Sequence, residues 1–398
     1  MDEDASDLCK PQGEGTIEEE MMFNRGGSSM FSDNDQISIR QVFRLYVFDF
    51  IGVSTLILPS RLSAFAGMDG LWSIALGGGI GSLYLWYLAK ILQEMDTDLV
   101  TFMQRTLSVW SYRLVMAFLV LHCIVVAGYG AYVFADVMKI GLVTGESFHL
   151  LLVLVLLVAG YAVCGGVESR ARVYEILFWV LFVPLILMFL LAIRDVELND
   201  LMPVCKSGAS VVTKGAILVF DCLTPLFLVL LFPVYVKKEK RKKMVHAVLS
   251  ALWFALGVLS VLYVILVGSF GSNSLASMRY PAVTLMSSIH LRGSFLKRLD
   301  AFMLGIWFFT LFALLNVFLF FGQQLFCKAA GEEKKGKRRI IFLTVLLLVF
   351  IAAEIFSYTD ATRLFLNYMC YLAAPLLVVL PAVLLVFGKC LGKVGKKE

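Results

Sequence analysis

Charge is what this chain most lacks. Asp, Glu, Lys and Arg make up 16% of its 398 residues, against about 25% in soluble domains, and a soluble enzyme is all but excluded. Histidine is also scarce. His122, His149, His246 and His290 are dispersed along the chain, so no metal cluster is expected. None of the eight cysteines (Cys9, Cys123, Cys164, Cys205, Cys222, Cys327, Cys370 and Cys390) belongs to a C-x-x-C pair. Most sit in apolar runs and read as packing thiols, with neither a disulfide framework nor a zinc site implied. No nucleophile–base pairing suited to a membrane hydrolase is visible. Residues 331–337 fit G-x-x-x-x-G-K, but Arg338 stands where a phosphate loop needs Ser or Thr. The expectation is a protein that is not an enzyme and carries no cofactor.

Apolar sequence is abundant instead: 60% of residues are hydrophobic and the mean hydropathy is +0.84. A spanning helix needs about 20 apolar residues to cross about 30 Å of hydrocarbon. Ten such runs can be drawn, at 41–66, 71–92, 114–138, 148–167, 173–193, 215–236, 244–268, 299–327, 340–357 and 367–388. The fold class expected is therefore all-α integral membrane, with about ten transmembrane helices. Segment 93–113 is too polar to span and reads as an interfacial loop. Residues 1–36 hold ten acids against Lys10 and Arg25, with no apolar core, and read as a disordered tail. Met22 or Met30 could even be the true start. Residues 37–390 form the membrane domain, and 391–398 a basic C-terminal tail.

The remaining positive charge orients the helices. With the N-terminus inside, inner segments carry 25 Lys and Arg and outer loops 10, which matches the positive-inside rule. Both termini are then cytoplasmic, and the basic excess reads as topology rather than nucleic-acid binding. Ten spans divide into five plus five, and an odd number per half makes any repeat inverted.

The first and sixth spans, corresponding members of such a repeat, look interrupted. Span 1 holds Gly52, Val53, Ser54, Thr55 and Pro59. Gly lowers helix propensity and Pro removes a backbone donor. The stretch is either an unwound break with free N–H groups suited to a carboxylate or a kinked packing helix. Span 6 holds Asp221 and Thr224 before Pro225. A buried acid costs about 2.5–3.5 kcal/mol on insertion scales, so Asp221 either serves a ligand ammonium or cation, or is satisfied by water near a helix end. On span 3, His122, Val126 and Tyr129 share one face at i, i+4, i+7. A lone His is as readily a packing residue as a ligand. Asp49, Asp136 and Glu354 carry the same ambiguity.

Several short motifs recur in an order known elsewhere. Ile37-Ser38-Ile39-Arg40-Gln41 leads into the Gly52…Pro59 stretch. Gly166-Val167-Glu168-Ser169-Arg170-Ala171-Arg172 follows with Glu175, then Leu201-Met202-Pro203. Val267-Gly268-Ser269-Phe270-Gly271 precedes Tyr280-Pro281, and Phe295-Leu296-Lys297-Arg298-Leu299-Asp300 runs into Ile306-Trp307. Over residues 37–390 the chain resembles the spore germination permease family, the B subunits of nutrient germinant receptors, within the amino acid–polyamine–organocation superfamily. The resemblance implies a 5+5 inverted repeat with broken helices 1 and 6 and a ligand site between them, completed by helices 3, 8 and 10. Carried over, that site comprises Gly52, Val53 and Ser54, His122, Val126 and Tyr129, Asp221 and Thr224, Leu314 and Phe318, and Tyr371. Relatives often have a second glycine where Ser54 stands and an aromatic near position 122. Many also have a glycine and an acid where Pro225, Leu226 and Phe227 stand here.

The function implied is a receptor subunit in the spore inner membrane. It would bind a small nutrient, an amino acid by family habit, and act with A- and C-type subunits to trigger germination. The alternative is a secondary amino acid transporter using the same site. Residues 176–193 contain no lysine of the kind some superfamily transporters carry in helix 5, which weakens proton coupling by that route. Thr310 remains open as part of a cation site.

Overall fold

The computed structural model describes residues 36–95, 98–141, 143, 145–197, 206–288, 299–331 and 335–394. Apart from Gln36, the acidic tail lies outside the described residues, as do the motifs at 201–203 and 295–298. Among the described residues every regular element is helical. In order these are α1 (Ile39–Ala66), α2 (Gly70–Glu94), α3 (Leu99–Thr106), α4 (Val109–Gly141), α5 (Phe148–Cys164), α6 (Gly166–Ala192) and α7 (Ala209–Cys222). They continue with α8 (Arg241–Phe270), α9 (Ser272–Ser277), α10 (Pro281–Ser288), α11 (Leu299–Ala329), α12 (Lys335–Ser357), α13 (Ala361–Tyr368) and α14 (Ala374–Val394). Seven helical stretches are long and apolar enough to cross a membrane, or eight if a bent pair counts as one span. The first stretch, Ile39–Glu94, contains both α1 and α2, and α5 is a shorter apolar helix of 17 residues. The polar segment after α2 holds the short helix α3, and α4 begins at Val109, earlier than hydropathy suggested.

Helix α1 starts where Ser38 caps it. The Ser38 hydroxyl accepts from the Gln41 amide at 3.3 Å, and the Gln41 side chain accepts from the Ser38 amide at 2.8 Å. This reciprocal box satisfies two otherwise orphaned donors. The helix ends at Gly67, whose φ of 52° suits a residue without Cβ. Every residue in 45–60 is buried, as befits a helix that is apolar all round. It packs against α6, α7, α8 and α11. Outside it, α4 packs on α11 and α12, and α2 on α7 and α8.

The expected break in span 1 is absent: α1 is one continuous α-helix from Ile39 to Ala66 with Pro59 inside it. Gly52 serves close packing instead. A Cβ there would stand 2.9 Å from the Thr310 carbonyl oxygen of α11, so glycine lets two backbones touch. Ser54 and Thr55 donate to the carbonyls of Phe50 and Ile51 one turn back. Thr55 also accepts from the Trp307 indole at 3.0 Å. The polar residues that suggested unwinding are satisfied within the helix and its α11 contact.

Candidate functional site

The sixth span is broken. After α7 ends at Cys222, the chain bends by 49° into a 3₁₀ segment, Thr224–Leu230. The cause is local. Pro225 has no N–H to give the Asp221 carbonyl four residues back, and the Thr224 hydroxyl donates to that carbonyl at 3.2 Å instead. The Asp221 carboxyl is pulled inside with the backbone: the residue is 2% exposed, and Oδ1 has no partner among the described residues.

Asp49, Asp136 and Glu354 each have an ion-pair partner, which Asp221 lacks among the described residues, although Asp49 Oδ2 is also without a hydrogen bond there. Asp49 pairs with Arg170, and Asp136 accepts from the Tyr280 hydroxyl at 2.7 Å and pairs with Arg279 at 3.1 Å. Glu354 meets His149 at 2.7 Å. An unsatisfied buried polar atom costs about 1–3 kcal/mol, which makes Asp221, beside the break, a candidate site residue.

On α4, His122 is fully buried at 0% exposure. Its ring lies nearly parallel to those of Phe118 and Tyr368, both centred 6.1 Å away. It meets Phe227, past the helix 6 break, and Phe318 of α11 edge-on at 6.5 and 6.0 Å. Nδ1 hydrogen-bonds with the Tyr368 hydroxyl at 3.1 Å, while Nε2 has no partner among the described residues. Tyr129, on the same face, stacks on Phe365 at 3.9 Å and donates to Thr362 at 3.4 Å. Val126 between them is buried. The face read from i, i+4, i+7 spacing therefore exists, and it meets α13 as well as the helix 6 break.

The remaining expected residues divide. Phe318 joins the His122 cluster, and Leu314 is buried near Gly130. Thr224 touches Met369 across the break, Oγ1 to Sδ, at 3.5 Å. Gly52, Val53, Ser54 and Thr55 are buried inside unbroken α1, their hydroxyls engaged. Tyr371 is a correction: it is 80% exposed, whereas the other expected site residues are buried. A π-helical turn, Met369–Ala373, joins α13 to α14, and its wider winding carries Tyr371 off the inward face. α13 and the π turn contribute Phe365, Tyr368 and Met369 in its place. Their only sequence signal was the i, i+3 spacing of Phe365 and Tyr368, common to any packed helix.

Comparison with known proteins adds the following. A family model described as "Spore germination protein" matches residues 36–365. Spore germination protein YndE of Bacillus subtilis (strain 168) is 21% identical over 90% of this chain and 98% of its own length. Spore germination protein GerLB of Bacillus cereus is 21% identical over 92% of this chain and 97% of its own. Spore germination protein A2 of Bacillus subtilis (strain 168) is 21% identical over 74% and 81%. Among solved structures, Mhp1, a nucleobase-cation-symport-1 family transporter in a closed conformation with bromovinylhydantoin bound, superposes with a TM-score of 0.63. Identity there is 12%, covering 84% of this chain and 75% of that one. A Na+-coupled sialic acid symporter in a substrate-bound outward-open state gives 0.62, at 10% identity, over 84% and 77%. Such likeness establishes a shared fold.

Proposed function

The chain belongs to the spore germination protein family, and on that premise we propose that it is the membrane subunit of a nutrient germinant receptor. Its ligand is a small nutrient, an amino acid in the first instance, held where the sixth span breaks. It is not an enzyme: binding shifts a two-state equilibrium by differential affinity, and A- and C-type partner subunits receive the change.

The observation that carries this reading is the pair of unsatisfied buried atoms flanking one break, Asp221 Oδ1 and His122 Nε2. Asp221 suits a ligand ammonium. His122 suits a second polar group, with Phe227, Phe318 and Tyr368 walling the apolar body. The ligand's carboxylate is not met by an unwound first span, since α1 is continuous.

We further propose ten spans in a 5+5 inverted repeat. Dividing the first stretch into α1 and α2, joining α7 to its 3₁₀ continuation and admitting the 17-residue α5 supports that count. Both termini would be cytoplasmic, in the spore inner membrane, by the Lys and Arg imbalance and the family.

The test is thermal unfolding of the purified protein against a panel of amino acids, nucleosides and sugars, with wild type and Thr224→Leu compared. A ligand raises the midpoint once it exceeds its dissociation constant. A hit lost in Thr224→Leu, with the unliganded midpoint unchanged, places the site at the break. A flux assay in liposomes then separates receptor from transporter, since only the latter moves the hit compound across the bilayer. A panel with no hits on an intact fold removes the solitary ligand-binding reading.

A further inference from the structure

The outer face of the bundle carries an open groove of about 250 Å³ between α2 and α8. Leu85 and Leu92 line its floor, with Ala89, Val245 and Leu249 beside them and exposed Trp86 along one edge. At the apolar end the Trp253 indole donates to the Ser82 hydroxyl at 3.1 Å and ties the two helices together. At the other end stand Gln93, Arg241, Lys242 and His246.

The basic end is held in place. Arg241 Nη1 donates to the Met95 carbonyl at 2.8 Å, just past the end of α2. Its Nε is buried without a partner among the described residues. Lys90 lies over the Trp86 ring at 3.6 Å and adds a cation along the same edge. The surrounding run, Lys237-Lys238-Glu239-Lys240-Arg241-Lys242-Lys243, contains six cations and one acid.

Length matches chemistry here. Ser82 and Gln93 are eleven residue steps apart, about 16 Å at 1.5 Å per residue. One leaflet of a bilayer with about 30 Å of hydrocarbon is about 15 Å deep. An apolar trough as deep as one leaflet, ending in a fixed guanidinium and an ammonium, has the pattern of an acyl chain ending in a phosphate. We infer that this groove binds one anionic glycerophospholipid, its acyl chain along Leu85, Val245 and Leu249 and its phosphate at Arg241 and Lys242. A soluble phosphate has no use for the trough, and a zwitterionic lipid places its own cation among the basic groups. Basic clusters attract anionic leaflets without any groove, so the inference concerns retention of a single lipid, not general attraction.

The experiment is native mass spectrometry of the full chain, purified in detergent and offered phosphatidylglycerol or phosphatidylcholine in mixed micelles. Wild type should retain one phosphatidylglycerol at least tenfold more than phosphatidylcholine. The double variant Arg241→Gln/Lys242→Gln should lose that preference. Lys237→Gln/Lys243→Gln, which removes the same charge from the same run outside the groove, should keep it. Leu249→Trp, which fills the trough and leaves every cation in place, should lower retention of both lipids. Circular dichroism melts of each variant confirm that the helices remain. Equal losses in the two glutamine pairs would reduce the site to diffuse attraction and overturn it. So would equal retention of the two lipids by wild type, or unchanged retention in Leu249→Trp.

Discussion

Arg170 of α6 and Asp49 of α1 form an ion pair at 2.5 Å with side chains 4% and 0% exposed. The same guanidinium donates to the Ala313 carbonyl of α11 at 3.2 Å and lies 5.4 Å from the Tyr174 ring. One side chain thereby fastens α6 and α11 to the central α1. Removing one member of such a buried pair leaves an uncompensated charge and costs about 3–5 kcal/mol, whereas replacing both with apolar groups is often neutral. Arg170→Met should therefore unfold at much lower denaturant than wild type. Arg170→Met/Asp49→Leu should recover most of the loss. Equal destabilisation in the single and double variants would mean the pair is not coupled.

At the helix 6 break, Asp221→Asn should leave the unliganded protein as stable as wild type or more so, because it replaces an acid whose Oδ1 has no partner. Binding of an ammonium-bearing ligand should weaken at least tenfold, about 1.4 kcal/mol. Calorimetry with the compound found by thermal shift reads both quantities. A marked fall in unliganded stability would make Asp221 a structural residue.

The α1–α11 contact gives a packing prediction. Gly52→Ala would place a methyl 2.9 Å from the Thr310 carbonyl oxygen, and overpacking of this kind costs about 1–3 kcal/mol. Gly79, on α2, has nothing within 4 Å of a built Cβ. Gly79→Ala should instead stabilise by about 0.5–1 kcal/mol through helix propensity. Opposite signs in one denaturation series are the expected result, and a loss at both positions would contradict the geometry.

Outside the spans, Asp98 accepts from Lys328 at 2.5 Å and from the Thr101 hydroxyl at 2.5 Å, linking the segment before α3 to the end of α11. Partial burial raises its pKa, but these hydrogen bonds and the ammonium charge outweigh it, leaving the carboxyl below its ordinary value. A depressed carboxylate contributes stability that is present above its unfolded pKa of about 3.9 and lost as pH falls through the folded value. Asp98→Asn should thus lower stability at pH 7 by no more than about 1 kcal/mol, given the solvent exposure of the pair. The difference from wild type should vanish as the pH falls below the folded value. A difference that persists in strong acid would exclude the ion pair as its source.

Helix 10 supplies a control. Tyr371→Ala, at an 80% exposed position, should leave ligand binding unchanged. Tyr368→Phe removes the hydroxyl that meets His122 at 3.1 Å and should alter it. Titrations of both variants with the same compound make the comparison. A binding loss confined to Tyr371→Ala would restore the residue expected from family resemblance.

What could be read from the chain alone was whatever depends on neighbours in sequence. Apolar runs announce membrane helices because hydrocarbon leaves backbone polar groups only each other. Asp221, Thr224 and Pro225 announced a break because a missing amide four residues after an acid has a local consequence, whatever surrounds it. The face holding His122, Val126 and Tyr129 follows from helical periodicity.

The tertiary structure decided the rest, because it joins residues far apart in the chain. Gly52, Ser54, Thr55 and Pro59 satisfied every local criterion for unwinding, yet α1 stays whole because its hydroxyls find carbonyls one turn back and α11 packs on its glycine. Asp49 could not be assigned a role until Arg170, 121 residues away, was seen to pair with it. Tyr368 rather than Tyr371 meets His122, 246 residues away in sequence, and only the packing of α13 against α4 brings the two together. Local chemistry determined where helices run and where one must break. Only their packing determined which polar groups are satisfied and which are left without a partner among the described residues.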